Sequence, residues 1–77
     1  MERLDSGRLS EWELGTRFSL TPREIEVAML LPRGLSSREI ATALGISLNT
    51  ARRHVERLLL KLDVRNRTAA AAKISGR

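Results

Sequence analysis

Gly45 constrains the fold of this 77-residue chain more than any other residue. Before it, Ser36-Ser37-Arg38-Glu39 has the spacing of a capping box, in which a hydroxyl and a Glu three residues on satisfy each other's backbone N–H groups. Ile40, Ala41 and Leu44 then recur at the steps of one helix face. After Gly45, Ser47 offers a new N-cap only two residues on. A helix that stops at a residue free to adopt left-handed backbone and restarts so soon must turn sharply back on itself. Ile46 is placed to plug the angle between the two helices, and Ala41 is small where they approach. The pattern is helix-turn-helix.

The helix after the turn carries Ala51, Val55, Leu58 and Leu62, spaced by 4, 3 and 4 residues and therefore on one stripe. It is expected from about Ser47 to Leu62, with Asn49, Arg52, Arg53, Glu56 and Arg57 largely on the other side. Upstream, Thr21-Pro22-Arg23-Glu24 combines an N-cap, a Pro at the first helical position and a Glu at the third. Leu20 and Ile25 are spaced as a hydrophobic staple across it, Ile25, Val27, Ala28, Leu30 and Leu31 supply an apolar face, and Pro32 and Gly34 end the helix. Downstream, Asp63-Val64-Arg65 breaks the pattern and Asn66 can cap a last helix over Thr68 to Ile74, built almost wholly of small residues. Residues 1–19 show no sustained period and read as a linker or loosely docked arm. Within them Ser10-Glu11-Trp12-Glu13 has capping-box spacing, which leaves a short helix open there. Trp12 and Phe18, the two aromatics, are expected to cover an edge of the core. The expected fold is all-α: four helices in residues 20–77 behind an N-terminal arm of residues 1–19.

A chain this short buries only roughly 60% of its unfolded surface, so its core must be small and local. With no Cys and one His, neither a disulfide nor a metal site is expected to add stability. No apolar run approaches the roughly 20 residues of a membrane span, and Met1 opens no basic-then-apolar leader, so a soluble, cytoplasmic protein without membrane contact is expected. The net charge of +5 is unevenly placed. Residues 1–19 balance at −1 and residues 20–46 at 0, whereas residues 47–77 hold six Arg and two Lys against Glu56 and Asp63, a balance of +6. Such a block suits a polyanion, either nucleic acid or an anionic membrane surface; the alternative is a merely solvated face. An enzyme is not expected, and neither is a cofactor: there is no Gly-rich phosphate loop and no carboxylate pair with a His.

From Leu20 to Ile74 the chain resembles the LuxR/GerE-type DNA-binding domain of bacterial transcription regulators. The resemblance is carried by Leu20-Thr21-Pro22-Arg23-Glu24-Ile25-Glu26-Val27, Gly34-Leu35-Ser36-Ser37-Arg38-Glu39-Ile40-Ala41 and Leu44-Gly45-Ile46-Ser47. It continues through Thr50-Ala51-Arg52-Arg53-His54-Val55 and Lys61-Leu62 to Asn66-Arg67-Thr68. It implies a four-helix domain whose third helix reads the major groove and whose fourth pairs two copies on DNA. It also implies that residues 1–19 join a preceding sensing domain. The chain departs from the family at Pro32, where helix one usually continues, at Ala51, usually Val, at Glu56, often basic or polar, and at Leu60, usually polar.

Residue by residue, Arg52 and Arg53 are expected to read base edges, since a guanidinium can pair bidentately with guanine O6 and N7. Glu56, one turn past Arg52, can hold that guanidinium or accept from the N4 amino group of cytosine. Ser47, Asn49 and Thr50 gather at a helix N-terminus suited to phosphate. Arg57, Lys61, Arg65 and Arg67 are expected to grip the DNA backbone. Thr68, Ala69 and Ala72 are the expected dimer face of the last helix. His54 is expected to pack and hydrogen-bond rather than bind metal or act in catalysis, no second ligand or base being placed beside it. The expected partners are double-stranded DNA, a second copy of the chain and RNA polymerase. Two other readings stay open: a promoter-binding domain like region 4 of a sigma factor, and a helical module that captures another protein without touching DNA.

Overall fold

The computed structural model describes residues 8–76. Five α-helices form the body: α1 (Glu11–Arg17), α2 (Pro22–Leu30), α3 (Ser37–Leu44), α4 (Leu48–Leu62) and α5 (Arg67–Ser75), with a 3₁₀ turn at Leu31–Arg33 after α2. There is no strand among the described residues. Capping boxes open α1, α2 and α3, pairing Ser10 with Glu13, Thr21 with Glu24 and Ser36 with Glu39. The Ser47 and Asn66 side chains accept from the Thr50 and Ala69 backbone N–H groups to start α4 and α5. Each start falls where the hydroxyl and amide side chains of the sequence put it, because these groups satisfy N–H donors that the first turn leaves free.

The helix-turn-helix closes at Gly45, which has φ 67° and ψ 36°. The Ile46 N–H reaches back to the Ala41 carbonyl at 3.0 Å, and α4 begins two residues later. α4 packs on both α2 and α3. Its Ala51, Val55, Leu58 and Leu62 line joins Val27, Ala28, Leu31, Ile40 and Ala41 in one buried core. Ala70 and Ile74 bring α5 onto the same core.

Two expectations are corrected. The described part of the N-terminal stretch is docked: α1 is a fifth helix, Leu14 on it is 0% exposed, Leu9 is buried beside it, and the Leu9 N–H donates to the Ile74 carbonyl at 3.0 Å. Two isolated leucines carry no period, so only the tertiary fold reveals that they complete the core. Trp12 does not cover that core; it is 76% exposed, because Leu14 takes the inward position of so short a helix. Phe18 does pack, half-buried, with the Arg17 guanidinium and the Lys73 ammonium at 5.1 and 5.2 Å from its ring centre. At Pro32 the backbone tightens into the 3₁₀ turn, so α2 ends at Leu30 and Gly34, at φ 83°, turns the chain toward α3.

Candidate nucleic-acid interface

The candidate interface is the side of α4 that the core leaves free. While Ala51, Val55, Leu58 and Leu62 are buried, Asn49, Arg52, Arg53, Glu56, Arg57 and Leu60 are exposed. With about 3.6 residues per turn, Asn49, Arg53, Glu56 and Leu60 run along the centre of this outward face, and Arg52 lies on one flank. The Arg52–Glu56 pairing is not formed among the described residues, so both side chains face solvent. At the N-terminal end, the Ser47 hydroxyl accepts from the Thr50 N–H at 3.0 Å and donates to the Thr50 Oγ1 at 2.8 Å. Ser47 and Thr50 are thereby tied to each other as a cap, while Asn49 is exposed.

The structure divides the four expected backbone-gripping cations into two groups. Arg57 and Arg65 are exposed. Lys61 is exposed as well, but its ammonium is engaged within the chain: its Nζ donates to the Glu24 Oε1 at 2.8 Å and to the Ser19 carbonyl at 3.0 Å. Arg67 also bonds within the chain, donating to the Ser37 hydroxyl at 2.7 Å and to the Leu35 carbonyl, which fastens the start of α5 to the start of α3. An ammonium has three N–H donors and a guanidinium five, so Lys61 keeps one for a further acceptor and Arg67 keeps some at its exposed edge.

Glu24, on the other side of the Lys61 bond, is 1% exposed. Burial by itself would raise its pKa. The hydrogen bond and charge of Lys61, with the hydrogen bonds from Thr21, outweigh this and hold the carboxyl below its ordinary value. The pair pins the last turn of α4 to the first turn of α2 and so sets where the outward face points. Read only as the third residue of a capping box, Glu24 gave no hint of this second bond. The available signal lies in Lys61, three residues past Leu58 and one before Leu62, at the edge of the buried stripe.

His54, seven residues earlier, holds the same edge position next to Ala51 and Val55. It is half-buried, in keeping with a packing role, but its Nδ1 is buried without a hydrogen-bond partner among the described residues. No group of three or more His, Asp or Glu side chains is placed to hold a metal ion among the described residues. No helix among them is long and apolar enough to cross a membrane.

The family model of the bacterial regulatory proteins of the LuxR family matches residues 18–74. The chain belongs to this family. The match favours the LuxR type over the sigma-factor likeness, and it supports a DNA-binding domain that serves transcription regulation. Among curated relatives, the "Response regulator protein VraR" of Staphylococcus aureus (strain Mu3), of Staphylococcus saprophyticus and of Staphylococcus epidermidis are each 45% identical over 51 residues. Those residues are 66% of this chain and 24% of each relative, so the chain spans about a quarter of the length of the proteins it matches. No solved structure matches the chain significantly.

Proposed function

We propose that this LuxR-family domain binds double-stranded DNA sequence-specifically, with α4 in the major groove, as the DNA-binding part of a bacterial transcription regulator in the cytoplasm. The observation that carries this is the two-sidedness of α4: an apolar line locked into the core, and a free face bearing Asn49, Arg52, Arg53, Glu56 and Arg57. Arg52 and Arg53 pair with guanine edges and Glu56 accepts from cytosine. The α4 N-terminus, with Ser47, Asn49 and Thr50, takes a phosphate on the backbone N–H groups that the Ser47 cap does not satisfy. Arg57 and Arg65 hold the DNA backbone, with Lys61 and Arg67 adding whatever donors their internal bonds leave.

Two copies pair through α5 on a two-half-site element. Thr68, Ala71, Ala72 and Ser75, with Pro32, line a shallow hollow of about 180 Å³, where small side chains allow another helix to approach closely. Ala69 lies beside this stripe, half-buried. RNA polymerase is the further partner that regulation of transcription requires.

Fluorescence anisotropy on labelled duplexes across a salt series tests the reading. With roughly 4 to 6 phosphates neutralised per half-site, log K should fall with log salt at a slope near −0.9 per phosphate. A slope near zero ends the backbone-binding reading. Arg52→Ala and Arg53→Ala should each cost about 1–3 kcal/mol on the cognate site and flatten the preference at particular base pairs. Uniform loss with base preferences intact makes both arginines phosphate clamps instead.

A further inference from the structure

Leu60 is the most exposed large apolar side chain among the described residues, at 80%. It lies seven residues past Arg53 and four past Glu56, so on an α-helix it shares the line of Arg53, about 10.5 Å farther along the axis. The other side chains on that line, Asn49, Arg53 and Glu56, are polar. Leu60 adds nothing to the core, and a Lys or Glu would serve the helix about as well and dissolve better. Its neighbour Lys61 is turned away by the bonds to Glu24 and Ser19, so the outward face of α4 ends on Leu60 rather than on a cation.

An apolar side chain facing the major groove has one apolar group on the bases to meet, the 5-methyl of thymine. That methyl sits on the pyrimidine edge nearest the phosphodiester wall, the part of the groove that a helix passes as it leaves. We propose that Leu60 is a specificity-determining residue that packs on a thymine 5-methyl at the edge of each half-site. The inference rests on α4 lying in the major groove, and it adds an apolar reading position to the polar ones of Arg52, Arg53 and Glu56.

The probe is a duplex enriched from a random pool by this chain, with each dT replaced singly by dU, which removes the methyl and nothing else. Wild-type chain and Leu60→Ala are titrated against the set by fluorescence anisotropy. Leu60 is so exposed that its truncation leaves the fold intact, and circular dichroism with a melting curve checks this. At one or two positions the wild type should bind the dT duplex about fourfold tighter than the dU duplex, the worth of one buried methyl-sized group, and Leu60→Ala should bind both alike. A thymine-to-uracil ratio that Leu60→Ala changes at no position overturns the inference and leaves Leu60 to a protein partner or to solvent. An Arg53→Ala variant that still loses base preference keeps the major-groove reading standing after such a result. A chain that enriches no duplex ends both.

Discussion

Lys61→Met removes an ammonium and keeps a stem of similar length, so it isolates what the Glu24–Lys61 pair contributes. In the variant the Glu24 carboxylate stays at 1% exposure with only the Thr21 groups against it. Removing one partner of a buried ion pair costs about 3–5 kcal/mol. The Lys61 side chain is 34% exposed and partly screened by water, so a smaller loss, about 2–3 kcal/mol, is expected here. For a domain of this size that lowers Tm by about 10–20 °C. Glu24→Gln is neutral and keeps an oxygen for the Thr21 N–H, so in that background Lys61→Met should cost under about 1 kcal/mol. The pH dependence has a definite sign. Because the folded-state pKa of Glu24 is lowered, the stabilisation is full above the ordinary carboxylate range and is lost as pH falls through the folded value. The penalty of Lys61→Met should therefore shrink in acid. Thermal melts of the four chains of this cycle, at neutral and acid pH, read all of it; equal penalties in both Glu24 backgrounds refute the reasoning. With two of its three donors used internally, Lys61 should also change the salt slope of DNA binding by less than one phosphate.

Leu14→Ala should destabilise the domain by about 2–4 kcal/mol, measured by urea unfolding, because the side chain is wholly buried on α1; a loss under about 0.5 kcal/mol would return the N-terminal stretch to the status of a loose arm. Ala72→Glu should weaken binding to a paired site more than to a single half-site, with Ala69→Glu as the parallel variant. Equal losses on both duplexes would remove α5 from the dimer.

Helices α2 to α5 and their order were legible in the sequence, since their signals are local, whereas α1 showed no more than a capping-box spacing. A hydroxyl three residues before a Glu at Ser36 and Thr21, the Pro at the first turn of α2, Gly45 between two helices and the 4-3-4 spacing of Ala51 to Leu62 each act within one or two turns of chain. The basic outward face of α4 follows from the same period. Only tertiary structure decided which of the remaining side chains face inward. Leu9 and Leu14 meet the core through contacts with α2 and α5 that no local pattern encodes. Lys61 and Arg67 look in the sequence like the other cations of the basic third. Yet Lys61 finds a carboxylate 37 residues away, and Arg67 a hydroxyl 30 residues away. Long cationic side chains can reach either solvent or a neighbour, and a buried acceptor left without a donor is costly, so where such an acceptor lies within reach the fold claims the cation.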